Sequence, residues 1–249
     1  MVQKFDFWFS PAEENRRIHL YLPDEYGQTQ ERYPVLYMFD GQNLYLDRDA
    51  TFGKSLGLKD FLDRWGKKLI VVGMECAGQN LDRLREYCPC HIHNEISGEI
   101  DGRGIATMDW IIHKLKPHID NTYRTWPHRE ATAIAGSSMG GMMALFGGLR
   151  YNRWFSKAAA ISPSVVLAMD CFRQEVREPL EPDTRVFFSW GTEEYGEVYA
   201  GLMTQSILEL ERGIQTHGAQ TYRYCQPGGQ HNEASWEQQI PIWMPFLWF

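Results

Sequence analysis

Gly136-Ser137-Ser138-Met139-Gly140 sets a serine between two glycines in the pattern G-x-S-x-G. A serine hydroxyl is a poor nucleophile until a base takes its proton and the backbone holds it in the open. A sharp strand-to-helix elbow does the holding, and its crowding demands small residues two positions before and two after the serine. Gly136 and Gly140 meet that demand for Ser138, whereas Ser137 has Ala135 and Met139 in the same places. The flanks agree. Thr132-Ala133-Ile134-Ala135 reads as a short buried strand, and Met139-Gly140-Gly141-Met142-Met143-Ala144-Leu145 as the start of a helix.

Such a serine needs a base, a group that orients the base, and donors for the oxyanion. Of the eight histidines, His231 alone follows a late strand in a glycine-rich loop downstream of the elbow. That is the place of the base in the chain order serine, acid, histidine. The acid belongs at the end of the preceding strand, where Glu193, Glu194 and Glu197 all stand. The same glutamates would also suit the start of a solvated helix, since carboxylates favour helix N-termini. The first oxyanion donor is the backbone N–H of Met139, directly after the serine. The second belongs to the turn after residues 33–39, at Gln42 with Gly41 next to it.

The elements that must position these groups follow from periodicity. Residues 16–23 alternate as an early strand, with His19 on its polar face. Residues 33–39 and 68–74 are nearly continuous apolar runs, as in strands covered on both faces. Residues 157–161, 185–190 and 221–225 read as further strands. Residues 52–65 look helical, and Ile105, Met108, Ile112, Leu115 and Ile119 recur at helical spacing. So do Tyr199, Leu202, Met203, Ile207, Leu210 and Ile214, and a closing helix carries Trp236, Ile240, Trp243 and Leu247 on one side. Alternating strands and helices imply an α/β fold: a mostly parallel central sheet with helices on both faces, in a single domain over residues 1–249. Right-handed crossovers then gather the turns after Phe39, Ala135, Trp190 and Cys225 at one edge of the sheet.

The net charge of −7 disfavours nucleic acid or an anionic membrane as partner. No run approaches the roughly 18 apolar residues of a membrane span. The N-terminus lacks a signal peptide's apolar stretch, so a cytoplasmic protein is expected. Five cysteines cannot all pair within the chain. Cys88-Pro89-Cys90-His91-Ile92-His93 offers four metal-binding side chains in six residues, but its spacing is not that of a standard zinc site. A reduced cysteine-bearing loop is the expectation, with no metal.

Tyr37-Met38-Phe39-Asp40-Gly41-Gln42-Asn43-Leu44-Tyr45 resembles the hDGQN-aromatic segment of the putative-esterase family of α/β-hydrolases. That family includes enterochelin-type siderophore esterases, feruloyl and acetyl-xylan esterases, S-formylglutathione hydrolases and mycolyltransferases. Leu115-Lys116-Pro117, Tyr123-Arg124-Thr125 and residues 135–141 are similar to its LKP…YRT…GSSMGG block. Gly229-Gln230-His231-Asn232-Glu233 with Trp236 is similar to its GGxHNExxW ending. The likeness spans residues 15–245. In relatives a G-T-x-D turn carries the acid, which by resemblance assigns that role to Glu194, a glutamate where the family has aspartate.

The resemblance implies the α/β-hydrolase fold and a serine carboxylic-ester hydrolase working through an acyl-enzyme without a cofactor. The rivals are an acyltransferase on the same residues and a non-catalytic binding protein. The implied partner is a small-molecule or carbohydrate-linked ester, and the sequence leaves a homo-oligomer open. Residues 75–103 and those after Ser162-Pro163-Ser164 should build the pocket. There Arg83, Arg85 and Arg103 could meet an anionic substrate, and Tyr45 and Trp190 could stack on an aromatic ring.

Overall fold

Phe5, Phe7 and Phe9 alternate with Asp6 and an exposed Trp8, and this period of two makes β1 (Val2–Phe9), a strand half-buried on one face. It pairs antiparallel with β2 (Glu14–Tyr21). The structure is a computed structural model that describes residues 1–78, 81–94 and 98–249, the side chains of Asn94 and Glu197 apart. The chain continues through β3 (Val35–Phe39), α1 (Leu58–Arg64), β4 (Ile70–Met74), α2 (Leu81–Tyr87) and a hairpin of β5 (Ile92–Asn94) and β6 (Gly98–Ile100). Next come α3 (Gly104–Trp110), a π turn over Ile111–Leu115, α4 (Lys116–Thr122), β7 (Thr132–Ser137) and α5 (Met139–Arg150). The remainder is β8 (Lys157–Ile161), α6 (Met169–Glu175), β9 (Arg185–Gly191), α7 (Gly196–Gln215), β10 (Gln220–Gln226), α8 (Glu233–Glu237) and α9 (Ile240–Trp248).

The eight strands of the main sheet run β1-β2-β4-β3-β7-β8-β9-β10. From β4 to β10 all neighbours are parallel; the β1–β2 and β2–β4 pairs are antiparallel. Every residue of β3, β4 and β7 is buried, because helices cover both faces. Alternate residues face opposite layers. Tyr37, Phe39, Val72 and Ile134 meet α2 to α7, while Leu36, Met38, Val71, Ala133 and Ala135 meet α1, α8 and α9.

Several expectations need correction here. His19 is not on a polar outer face: it is 2 % exposed, and its Nε2 lies 2.6 Å from Glu75 Oε1. The helix expected over residues 52–65 begins only at Leu58, after turns that place Phe52 in solvent. Residues 75–103, expected to build the pocket, hold α2 and the β5–β6 hairpin, and of these elements α2 reaches the pocket through Arg83. Ile105, assigned to the buried stripe of the next helix, is 42 % exposed.

Four non-glycine residues with left-handed backbone lie just past strand ends of the parallel sheet: Asp40 (φ 58°), Ser138 (φ 58°), Ser162 (φ 42°) and Tyr195 (φ 54°). Each such conformation is strained by about 1–3 kcal/mol and persists only where the surroundings enforce it. Their grouping at the carboxyl ends of β3, β7, β8 and β9 marks one rim of the sheet.

Candidate active site

Ser138 sits between the end of β7 and the first turn of α5, with φ 58° and ψ −123°. Its N–H donates to Ile161 O at 2.9 Å, and its C=O accepts from Met142 N at 3.0 Å and Ser164 N at 3.1 Å. The turn is tight enough to exclude side chains beside it. A Cβ on Gly136 would lie 2.4 Å from the Gly140 carbonyl carbon, and one on Gly140 would lie 2.9 Å from Phe39 Cβ.

His231 Nε2 lies 2.8 Å from Ser138 Oγ, and His231 Nδ1 lies 3.0 Å from Glu194 Oε2. Glu194 is 3 % exposed. Its Oε1 accepts from the Gly191 N–H at 2.8 Å and from the Ser162 hydroxyl at 2.6 Å. Ser162 Oγ in turn accepts from Trp236 Nε1 at 2.8 Å. A line of hydrogen-bond contacts therefore runs from α8 through the ends of β8 and β9 to the loop after β10, and on to the elbow. The acid turn and the histidine loop are pressed together: a Cβ on Gly191 would lie 2.1 Å from Gly229 O, and Glu193 N donates to that oxygen at 2.9 Å.

Gln42 lies in a one-turn 3-10 segment, Gly41–Asn43, that opens after Asp40. Met139 is the first residue of α5. Both N–H groups stand at the start of a helical turn, where no carbonyl within the turn can accept them. The Gln42 turn is pinned from two sides. Gly41 packs on β4, where a Cβ would lie 2.5 Å from the Gly73 carbonyl carbon. Asp40, 3 % exposed, receives Arg83 in two bonds, Nε to Oδ1 at 2.9 Å and Nη2 to Oδ2 at 2.7 Å. The Asp40 N–H donates to Tyr87 Oη at 3.3 Å, so α2 holds this turn through two of its residues.

These groups surround a cavity of about 530 Å³. Its lining includes Ser138, His231, Gln42, Phe52, Cys76, Arg83, Tyr195 and Glu233. Phe52 is 78 % and Tyr195 59 % exposed, and the Tyr195 ring centroid is 4.5 Å from that of His231. Burial, with Asp40 nearby, pushes the Cys76 thiol up to about 12. It stays protonated at neutral pH and offers no thiolate to the pocket.

The sequence profile of the esterase family described as "Putative esterase" matches residues 10–247. The chain belongs to this family. Esterase Rv1288 of Mycobacterium tuberculosis (strain H37Rv) is 31 % identical over 156 residues, covering 63 % of the chain and 31 % of that esterase. The chain thus spans about a third of that relative's length. Among solved structures, an IroE-like serine hydrolase from Shewanella oneidensis superposes with a TM-score of 0.78 at 21 % identity, covering 99 % of this chain and 80 % of that one. A ferulic acid esterase superposes with a TM-score of 0.75 at 19 % identity, covering 99 % and 97 %. The fold is that of the α/β-hydrolases, and the family membership makes the protein an esterase.

The structure brings together Ser138, His231, Glu194, Met139 and Gln42 at the rim of this esterase's sheet. Of the five residues read as substrate contacts, Arg83 lines the pocket and the other four are elsewhere. Tyr45 is 5 % exposed in the layer under α1 and α9; its ring stacks on Tyr21 and its hydroxyl donates to Val71 O at 3.3 Å. Trp190 is 8 % exposed within the core on the α7 side. Arg85 pairs with Asp82 at 3.5 Å and lines a separate depression with Phe9, Glu86 and Arg103. Residues two apart on a helix point to different faces, so α2 turns Arg83 toward the pocket and Arg85 away from it.

Of the alternative acids, the Glu193 backbone N–H is bonded to Gly229 while its side chain is exposed, and the side chain of Glu197 lies outside the described residues. The cysteine–histidine cluster is split. Cys88 is buried and its Sγ donates to Cys90 O at 3.2 Å, whereas His91 and His93 are exposed and face Glu99 at 2.6 Å and 2.9 Å. Among the described residues no group of three or more histidine, cysteine or acidic side chains is placed to hold a metal. No helix among them is long and apolar enough to cross a membrane.

Phe52, Tyr195 and Glu233 line the pocket without having been singled out from sequence. Tyr195 carried a usable signal, standing directly after the candidate acid.

Proposed function

We propose that a single domain over residues 1–249 works as a serine carboxylic-ester hydrolase, with Ser138 as nucleophile, His231 as base and Glu194 as the acid that orients it. One observation carries this reading. The contacts Ser138 Oγ–His231 Nε2 (2.8 Å) and His231 Nδ1–Glu194 Oε2 (3.0 Å) share one imidazole, and Ser138 and His231 line the pocket. With Nδ1–H donated to Glu194, Nε2 is free to accept the serine proton.

Ser138 Oγ attacks the acyl carbon as its proton passes to His231 Nε2. The carbonyl oxygen becomes an oxyanion facing the N–H groups of Gln42 and Met139. Collapse of that intermediate breaks the bond to the alcohol oxygen, which leaves with the proton from His231. Water then attacks the acyl-serine, gives its proton to His231, and the acid departs as Ser138 recovers its proton. Each such donor typically supplies about 3 kcal/mol of transition-state stabilisation.

A fluorophosphonate probe tests the reading directly. Peptide mass spectrometry should find the adduct on Ser138, with loss of p-nitrophenyl acetate hydrolysis in proportion to labelling. A chain that hydrolyses the ester while unlabelled at Ser138, or that does neither, refutes it.

The pocket walls favour an ester with a flat apolar group on one side. Phe52 and Tyr195 are large, exposed rings on the same cavity, and rings gain about 0.5–1.5 kcal/mol from stacking beyond simple burial. Phe52→Ala and Tyr195→Ala should each lower the ratio of kcat/KM for phenyl acetate over ethyl acetate by about fivefold. An unchanged ratio in both variants would show that neither ring contacts the substrate.

A further inference from the structure

Glu233 stands two residues beyond His231 and opens α8. It is 7 % exposed and lines the pocket, yet no step of the reaction uses its carboxylate. Burial, with Asp40 close by, raises its carboxyl above the ordinary range. A carboxyl placed so unfavourably calls for a compensating partner.

That partner is Asn43, in the turn that carries Gln42. Asn43 Nδ2 donates to Glu233 Oε1 at 3.1 Å, across a separation of 190 residues. The rest of Asn43 is also held. Its Oδ1 accepts from Thr51 N at 2.9 Å, its own N–H donates to Asp40 O at 2.8 Å, and its C=O accepts from Leu56 N at 2.8 Å. Gln42 lies between this anchored residue and Gly41, which is pressed on β4. Among these bonds, the one to Glu233 reaches the loop of His231.

We infer that Glu233 is a positioning residue for ester cleavage: through Asn43 it keeps the Gln42 N–H in register with His231 and Ser138. The inference rests on the ester-hydrolase reading. Oxyanion donors work within roughly 2.7–3.1 Å of the developing charge. A misplacement near 1 Å can lower a rate by about 100-fold. What Asn43 requires is an acceptor, which an amide oxygen supplies as well as a carboxylate.

The test combines p-nitrophenyl acetate kinetics with inhibition by an aryl trifluoromethyl ketone, whose serine adduct carries the oxyanion. Glu233→Ala and Asn43→Ala should each lower kcat about 10- to 100-fold with KM within about threefold. The double variant should be no slower than the slower single one, because both break the same link. Glu233→Gln should stay within about threefold of the parent, and the ketone Ki should rise by the factor that kcat/KM falls. Glu233→Met fills similar space without an acceptor and replaces the alanine variant should that fail to fold. The inference is overturned by a Glu233→Ala or Glu233→Met enzyme equal to the parent, by losses that multiply in the double variant, or by a slowed enzyme whose ketone Ki is unchanged. A parent protein without Ser138-dependent turnover instead refutes the hydrolase reading itself.

Discussion

Ser138→Ala should lower the turnover of p-nitrophenyl acetate by about 10⁵- to 10⁶-fold, because removing the nucleophile of a serine–histidine pair removes the acyl-enzyme route entirely. The residual rate should still exceed that of water, since the pocket and the N–H groups of Gln42 and Met139 remain. Stability should move the other way in a companion variant. Ser138 holds φ 58° and ψ −123°, a conformation that a side chain makes costly and glycine adopts freely. Ser138→Gly should therefore be as inactive as the alanine variant and more stable to heat or urea, by about 1 kcal/mol. Equal turnover in the alanine variant and the parent would end the serine mechanism. A glycine variant less stable than the parent would show that the elbow is not strained.

Glu194→Gln should lower kcat by about 10³- to 10⁴-fold while leaving the fold intact. The amide keeps the size of the side chain. Its oxygen can still accept from Gly191 N and Ser162 Oγ, which now bond Glu194 Oε1 at 2.8 Å and 2.6 Å. Its NH₂ group then faces His231 Nδ1 and can only donate. That selects the tautomer with the proton on Nε2, which cannot accept from Ser138. Glu194→Ala should be as slow and also less stable by about 1–3 kcal/mol, since it leaves two buried donors without an acceptor. A glutamine variant within tenfold of the parent would mean that Ser138 and His231 act as a pair and that Glu194 serves the fold.

How far the chain can be read from sequence depends on whether a feature is local. The elbow is contiguous, so Gly136, Ser138 and Gly140 announce it together. The buried strands β3, β4 and β7 appear as apolar runs, and their order brings Gln42, Glu194 and His231 to one rim. Local parity defeats the reading of pocket walls. Tyr45 is an aromatic residue near the right turn, but the 3-10 segment ahead of it rotates its ring under the sheet, while Phe52, in a polar stretch, reaches the pocket. Arg83 and Arg85 look equivalent in sequence, and only the phase of α2 separates them. The bond between Asn43 and Glu233 joins residues 190 apart, and no pattern within either segment points to the other. β1 is hard to read from sequence for a different reason. As an edge strand it buries one face lightly, and three phenylalanines among charges make a weak signal.

The exposure of Phe52 and Tyr195 has a practical consequence for altering what the enzyme accepts. Side chains that bury little area contribute little to folding, so a combinatorial library at these two positions should retain soluble, folded members at high frequency. The proposed reacting groups, locked by buried bonds at the strand ends, would be inherited unchanged by every clone. On the proposed reading, substrate range and structural integrity are encoded at different depths, and selection can act on the first without eroding the second.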